Sequence, residues 1–222
     1  MKIGILGTGM VGNAIGSKLI QLGHEVKMGS RTAGNEKAVE WVEQNGSTAS
    51  KGTFKDAASF AEIIFNCTAG AVSLEVLEMA GAENLSGKIL VDIANPLVRG
   101  TLPSLVPSLS NTTSLGEEIQ KTYPETKVVK TLNTMMCNVM VNPALVAGEH
   151  DVFICGNDND AKAQVKEVLN WFGWKTPIDL GSLSNARYTE MLSACWMPLF
   201  NLYGTPNFNF KVAVSTMNDI IY

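Results

Sequence analysis

The sequence predicts an α/β fold, in which a doubly wound, mostly parallel sheet is followed by a short carboxyl-terminal helical appendage. Apolar segments of strand length alternate with amphipathic helical segments through most of the chain, which is typical of a parallel sheet covered on both faces. A glycine-rich turn follows the first strand at residue 7, where such folds begin their first helix. The chain has 222 residues, enough for one large core.

Apolar periodicity defines the elements of the amino-terminal half. The first strand is predicted over Lys2–Leu6, and the first helix over Met10–Leu22, ended by Gly23. Further strands are expected over Glu25–Met28, Ile63–Cys67 and Lys88–Ala94, and further helices over Ala33–Gln44, Lys55–Ala61 and Ser73–Ala80.

The carboxyl-terminal half opens with an irregular stretch. Prolines and serines between Asn95 and Ser114 forbid a long helix and predict a loop near the site. Beyond it we expect helices over Leu115–Lys121 and Asp158–Phe172, and strands over Lys127–Leu132, Val152–Cys155 and Lys175–Asp179. The helix over Asp158–Phe172 is expected to turn Ala161, Val165, Val168 and Phe172 inward, with an Asn/Asp cap at its start and Gly173 at its end.

A final helix is predicted over Leu183–Tyr203, kinked at Pro198. Its apolar residues recur at helical spacing and define one stripe to be buried, either across the sheet or against a second copy in a homodimer: Tyr188, Leu192, Cys195, Leu199 and Leu202. We therefore divide the chain into a dinucleotide-binding domain, residues 1–181, and a helical segment, residues 182–222, that covers the site or forms a dimer contact.

Composition excludes several classes of function. A formal net charge of −4 and a pI near 5.3 argue against nucleic-acid and anionic-membrane partners, which require a basic surface. The start of the chain lacks signal-peptide features, and the apolar stretch Met191–Leu202 is too short to cross a bilayer, so a cytoplasmic protein is expected.

Cysteine and histidine usage predicts no metal site. The four cysteines show no short-range pairing and lie in apolar surroundings, which favours core packing in a reducing compartment: Cys67, Cys137, Cys155 and Cys195. His24 and His150 are the only imidazoles, and both are interpreted as structural residues.

The first strand runs into Gly7-Thr8-Gly9-Met10-Val11-Gly12, a G-x-G-x-x-G fingerprint at a strand-to-helix turn. Gly7 permits the tight turn, Gly9 lets a pyrophosphate approach the backbone, and Gly12 allows close helix packing. Exposed amides and the positive end of the helix dipole then hold the diphosphate. The motif predicts a Rossmann-type dinucleotide site.

The end of the second strand favours NADPH over NADH. NAD-binding proteins place an acid there for the ribose 2′-hydroxyl, whereas this chain reads Ser30-Arg31-Thr32. Arg31 can grip a 2′-phosphate with two hydrogen bonds, and the hydroxyls of Ser30 and Thr32 can donate to it.

Three later segments follow predicted strands at the same sheet edge: Thr68-Ala69-Gly70, Asn95-Pro96-Leu97 and Asn133-Thr134-Met135. They suit a wall along the ribose and nicotinamide, with Asn95 and Asn133 able to bond the carboxamide or a substrate, although ordinary turn chemistry explains each one equally well. No catalytic residue can be named, because no nucleophile-base set or paired carboxylates stand out.

With these motifs the chain resembles the NADP oxidoreductases dependent on coenzyme factor 420 (F420) and the related reductase domain of the Steap metalloreductases. The resemblance spans nearly the whole length and rests on Ile5–Gly12, Leu22–Val26, Gly29–Arg31, Val91–Leu97, Val129–Thr134, Asp179–Leu183 and Ala186–Tyr188.

The resemblance implies that Thr8, Met10 and Val11 line the diphosphate turn, that Ser30 and Arg31 hold the 2′-phosphate, and that the loops at Thr68 and Asn95 cover the nicotinamide. It also implies a hydride acceptor, a deazaflavin or a flavin such as FMN or FAD, stacked on the nicotinamide under the carboxyl-terminal segment.

Two alternative functions stay open: an imine or 3-hydroxy-acid reductase that works as a dimer, and a non-catalytic NADPH sensor. Met135, Met136 and Met140 could line an adaptable pocket or block the nicotinamide face.

Overall fold

The computed structural model describes residues 1–98, 104–109 and 111–215. Within these ranges the strands are Lys2–Leu6 (β1), Glu25–Ser30 (β2), Ala49–Thr53 (β3), Ile63–Asn66 (β4), Ile89–Asp92 (β5), Leu97–Val98 (β6), Ser104–Leu105 (β7), Lys127–Thr131 (β8), Phe153–Gly156 (β9) and Ile178–Asp179 (β10). The α-helices are Met10–Gln21 (α1), Glu36–Asn45 (α2), Phe54–Phe60 (α3), Ser73–Ala80 (α4), Ala82–Leu85 (α5), Leu115–Thr122 (α6), Cys137–Val141 (α7), Asn159–Phe172 (α8), Ala186–Ser193 (α9) and Trp196–Tyr203 (α10).

Eight strands form one sheet in the order β10-β9-β8-β5-β4-β1-β2-β3. Every neighbouring pair is parallel except β8 and β9, which confirms the predicted doubly wound, mostly parallel sheet. The strand order reverses between β1 and β4, and their carboxyl ends therefore open the crevice where such sheets bind ligands.

Two apolar layers enclose the sheet. The first packs α1, α2, α7 and α8 on one face, and the second packs α3 to α6 and the start of α9 on the other. In α8 the predicted inward positions are all buried: Ala161, Val165, Val168 and Phe172. The predicted caps of this helix are also confirmed, because the Asp158 side chain accepts from the Ala161 amide and Gly173 has a φ of +108°.

Strand β3 is absent from the sequence prediction. Its residues, Ala49 to Thr53, are mostly polar and pair only with β2 at the sheet edge, so no apolar alternation marks them. The predicted loop after Asn95 needs correction as well, since β6 and β7 pair antiparallel within it. Residues 99–103 and 110 of that predicted loop, and the end of the carboxyl-terminal segment at 216–222, lie outside the described residues.

The prediction of a single kinked helix over Leu183–Tyr203 is wrong, because the chain forms two helices, α9 and α10, with a break at Ala194–Cys195. Pro198 has no N–H for the Ala194 carbonyl, and its ring would clash with that carbonyl. The proline is instead accommodated in the first turn of α10, where its missing donor costs little.

The apolar stripe of this segment is not buried against the sheet. Tyr188 and Leu202 are 63% and 72% exposed, and Cys195 is exposed, contrary to its predicted place in the core. The face of α9 that turns inward carries Glu190, whose carboxylate lies in the interior. Because the face of α9 with Glu190 is turned inward, the apolar stripe faces outward. The division of the chain at residue 182 stays a prediction.

Candidate functional site

The turn between β1 and α1 combines a glycine conformation with a close backbone approach. Gly7 has a φ of +119°, which side-chain-bearing residues rarely adopt. A Cβ on Gly12 would lie 2.1 Å from the Gly7 carbonyl oxygen, so only glycine lets α1 pack against the turn. A Cβ on Gly9 would meet no atom within 4 Å. The turn therefore leaves open space in front of the first amides of α1, which have no partner within the helix.

A cavity of about 290 Å³ extends from this turn to the end of β2. Its lining joins the fingerprint turn, the end of β2 and the segment after β4, and consists of Gly7, Thr8, Gly9, Ser30, Arg31, Asn35, Phe54, Cys67, Thr68, Ala69, Val72 and Val76. Polar groups lie at its Ser30 and Arg31 end, and Val72 and Val76 supply an apolar wall. An anionic group at one end and an apolar ring against the other would both find complementary surface.

The end of β2 presents a guanidinium at the mouth of that cavity. Arg31 is exposed, and no carboxylate of the described residues lies within 4.0 Å of it. Ser30 is buried, and its hydroxyl donates to the Thr32 carbonyl at 2.6 Å, which fixes the bend of the segment. Asn35 caps α2 through the Ala38 amide. The segment thus offers an unpaired cation of the kind that binds phosphate.

A second cavity, of about 350 Å³, lies at the carboxyl ends of β4, β5 and β8. Its lining is largely apolar and consists of Val11, Cys67, Thr68, Ala69, Ile93, Ala94, Asn95, Leu97, Val98, Asn133, Met135 and Met140. The segment Cys67–Ala69 lines both cavities, which places them on either side of one turn. Both cavities lie beside the switch point of the sheet, where such folds bind ligands.

Asn95 and Asn133 form a reciprocal amide pair at this second cavity. The Asn95 Nδ2 donates to the Asn133 carbonyl at 2.7 Å, and the Asn133 Nδ2 donates to the Asn95 Oδ1 at 2.9 Å. Leu132, just before Asn133, has a φ of +61°, an uncommon value for a side-chain-bearing residue. The left-handed backbone conformation of Leu132 is locally strained, and it orients Asn133 towards Asn95.

A buried polar network supports the wall of the cavity. Thr68 donates from Oγ1 to the Asn66 Oδ1 at 2.6 Å, and Asn66 donates from Nδ2 to Asp92 at 2.9 Å and to Ser73 at 3.0 Å. Asp92 in turn contacts the ammonium of Lys130. This network was not predicted from the sequence, although the charged residues inside the apolar strands β5 and β8 were a usable signal, since buried charges are normally paired.

The described lining of the second cavity offers no side chain suited to acid-base or nucleophilic chemistry. It carries no charged residue, and burial raises the pKa of the Cys67 thiol well above its usual range, with Asp92 adding to the effect. A neutral thiol is a poor nucleophile. Within the described ranges no group of three candidate metal ligands occurs, and no helix is long and apolar enough to span a membrane.

Most of the predicted site residues lie at these two cavities. The exceptions are Met10, Gly12, Thr32 and Pro96, which belong to neither lining. Met10 is 70% exposed beside the turn, Gly12 is a packing contact, and Pro96 is buried. Several apolar lining residues were not predicted, because an apolar residue at a strand end or in a helix carries no signal that distinguishes a cavity wall from the core: Phe54, Cys67, Val72, Val76 and Ile93.

Two glycine substitutions should separate packing from ligand space. Gly9→Ala should leave the free energy of unfolding within about 0.5 kcal/mol of wild type but weaken NADPH binding about tenfold, because the methyl group enters the open space of the turn. Gly12→Ala should lower the free energy of unfolding by about 2–3 kcal/mol through its clash with Gly7. Urea denaturation and cofactor titration measure both. Equal destabilisation by the two variants would contradict the assignment of Gly9 to the ligand side.

Comparison with known proteins relates this crevice to NADP enzymes. Residues 2–96 match the family model described as NADP oxidoreductase, coenzyme F420-dependent. This range contains the fingerprint turn and the end of β5. A proposed F420-dependent NADP reductase of Arthrobacter sp. FB24 is 48% identical, with a TM-score of 0.90, over 96% of this chain and 100% of that structure. An imine reductase of Streptomyces aurantiacus shares the fold, with a TM-score of 0.65 and 18% identity. That match covers 90% of this chain and 62% of the imine reductase chain.

Two curated relatives extend the comparison. The F420-dependent NADP reductase of Methanocaldococcus jannaschii is 29% identical over 87% of this chain and 89% of its own length. Metalloreductase STEAP3 of Rattus norvegicus is 32% identical over 89% of this chain, but the match spans only 37% of that longer protein. The Arthrobacter match covers that whole chain at high identity and with the same fold. The chain therefore belongs to the coenzyme F420-dependent family of NADP oxidoreductases.

Proposed function

We propose that this protein transfers a hydride between NADPH and a deazaflavin coenzyme bound face to face with the nicotinamide. In this proposal Arg31 and Thr32 bind the 2′-phosphate, Ser30 holds the bend of that segment through its bond to the Thr32 carbonyl, and the turn from Gly7 to Gly12 binds the diphosphate. The nicotinamide occupies the second cavity, between Thr68-Ala69 on one side and the Asn95-Pro96 segment with Asn133 on the other.

The observation that carries this proposal is the chemistry of the second cavity. Its described lining is apolar apart from Cys67, Thr68 and the Asn95–Asn133 amide pair. Hydride transfer between two stacked rings depends on close orientation and exclusion of water, and asks little of side-chain acids and bases. Reduction of a carbonyl or an imine, in contrast, also needs a proton donor near the substrate.

The choice of a deazaflavin over FMN or FAD is supported by two relatives that are named as F420-dependent. These are the 48% identical Arthrobacter protein and the Methanocaldococcus enzyme. The apolar side chains of Met135 and Met140 in the lining can pack against a ring system of either kind.

The test follows the nicotinamide absorbance band while the protein is mixed with NADPH and one acceptor at a time: F420, FMN, FAD, a ferric chelate or a cyclic imine. We expect NADPH oxidation to be fastest with F420. Faster oxidation by a flavin, the chelate or the imine would replace the deazaflavin with that acceptor. Tight NADPH binding without oxidation by any of them would favour an NADPH sensor whose nicotinamide face is closed by the two methionines.

We also propose that two copies pair through the apolar stripe of α9 and α10. None of the residues of α10 is buried, and its Trp196 stacks on Phe200 and Phe208 with an indole N–H that is buried but has no partner among the described residues. No described residue of the carboxyl-terminal segment lines the second cavity. A second copy would bury the stripe.

Leu202→Asp should convert a dimer into a monomer, because Leu202 is 72% exposed and a carboxylate would be desolvated at the contact. Sedimentation analysis measures the mass, and cofactor titration should show NADPH binding within about twofold of wild type. Met79→Asp, at an apolar residue of α4 that is 42% exposed, is the matched control and should remain dimeric. A wild-type monomer at micromolar concentration, or a dimeric Leu202→Asp variant, would contradict the pairing.

A further inference from the structure

Three ionisable side chains form a fully buried cluster that the proposed hydride transfer does not use. The ammonium of Lys130, on β8, lies 2.8 Å from the Asp92 Oδ2 and 2.8 Å from the Glu190 Oε1. The three side chains are 0%, 0% and 1% exposed. Asp92 and Lys130 are register partners on β5 and β8, and Glu190 reaches them from α9.

Both carboxylates of this cluster are surrounded by donors. Glu190 accepts from the Leu115 amide at 3.0 Å and the Gly116 amide at 3.3 Å, besides Lys130. Asp92 accepts from the Asn66 Nδ2 at 2.9 Å and the Ala94 amide at 3.2 Å. A protonated carboxyl would find no acceptor among these contacts, so the geometry fits the ionised forms.

The cluster therefore carries one net negative charge, because two carboxylates face a single ammonium. Burial opposes the charge on Lys130, but the two carboxylates outweigh it and raise the pKa of the lysine, which keeps the ammonium charged. Burial also raises the pKa of Glu190, partly offset by Lys130. The amino terminus of α6 supplies the two backbone amides and offsets part of the negative charge through its dipole.

Two side chains of the cluster are hydrogen-bonded to a residue in the wall of the second cavity. Lys130 donates to the carbonyl of Ala94, and Asp92 accepts from the amide of the same residue. A second connection runs from Asp92 through Asn66 to Thr68. Ala94 and Thr68 both line the cavity, whose described lining contains no charged side chain. The cluster is thus separated from the cavity by a single layer of residues.

We infer that the buried Asp92–Lys130–Glu190 cluster biases the bound cofactor towards its oxidised form and thereby promotes hydride donation by NADPH. The inference rests on the proposed placement of the nicotinamide in the second cavity. The oxidised ring carries a positive charge and the reduced ring is neutral, so a negative potential stabilises only the former. Such a potential is weakly screened in a buried, low-dielectric surrounding. These residues do not touch the ring and act on it through the field.

The test compares the dissociation constants of NADP⁺ and NADPH, measured by calorimetric titration without any acceptor. Glu190→Gln removes one carboxylate charge, and we expect the ratio of the NADP⁺ to the NADPH dissociation constant to rise about tenfold, or about 1.4 kcal/mol. Asp92→Asn removes the other carboxylate charge at a different strand and should raise the ratio in the same direction, which keeps the test decisive if one variant folds poorly. The matched control, Glu117→Gln, removes the partly exposed carboxylate that binds Arg187 between α6 and α9 and should leave the ratio unchanged.

A cluster that only stabilised the fold would weaken both cofactors together, and an unchanged ratio in both cluster variants would overturn the inference. A ratio that rises equally in Glu117→Gln would also overturn it, because the effect would then come from the contact between α6 and α9. Since no acceptor is present, failure here is distinct from failure of the deazaflavin proposal.

Discussion

Arg31→Ala is expected to weaken NADPH binding about 100-fold, or about 2.7 kcal/mol, while the dissociation constant of NADH changes less than about twofold. The guanidinium lies at the mouth of the cavity beside the fingerprint turn, without a carboxylate partner among the described residues. A phosphate is the group that would satisfy it, and only NADPH carries one on the adenosine ribose. Titration of both cofactors with wild type and variant measures the difference.

Two further variants sharpen this prediction. Arg31→Lys keeps the charge but loses the two-pronged geometry, and should recover only part of the NADPH affinity. Lys121→Ala removes a cation that is 79% exposed on α6, away from both cavities, and should leave both affinities unchanged. Equal losses for NADPH and NADH in Arg31→Ala would show that the 2′-phosphate binds elsewhere.

Lys130→Met should lower the free energy of unfolding by about 3–5 kcal/mol. The substitution leaves the carboxylates of Asp92 and Glu190 buried without their shared cation, and such uncompensated charges are strongly unfavourable. Urea denaturation measures the loss, and the midpoint should fall with little change in slope.

Lys166→Met is the matched control for the lysine substitution. Lys166 pairs with Asp179 on the surface and is 39% exposed, so its removal should cost less than about 1 kcal/mol. A similarly small loss in Lys130→Met would mean that the buried carboxylates become protonated without penalty, which would contradict their ionised assignment.

Elements with a strong local pattern were predicted from the sequence. Helix α8 combines a cap, an apolar stripe and a terminal glycine, and each of these features acts within a few residues of its own position. The fingerprint turn is equally local, because the φ of Gly7 and the approach of Gly12 involve residues only five apart. The four-residue strand β4 was found because it is wholly buried and its first three residues, Ile63 to Phe65, are apolar.

Features that depend on distant partners were missed or misplaced. Strand β3 is polar and exists because β2 offers it an edge. The stripe on α9 and α10 is not buried against the sheet, the first of its two expected places, because Glu190 decides which face of α9 turns inward. Burial against a second copy stays a prediction. That choice depends on Lys130, sixty residues earlier, and on the backbone amides at the start of α6.

The amino-acid sequence by itself determined the class of the fold, the turn that begins α1 and the basic end of β2, because backbone geometry and charge at these places follow from neighbouring residues. Only the tertiary structure decided which side chains share a cavity, that Asn95 and Asn133 bond each other, and that a net negative charge lies behind Ala94. These arrangements join residues from strands far apart in the chain, and a buried charge is tolerated only where the completed fold supplies its donors.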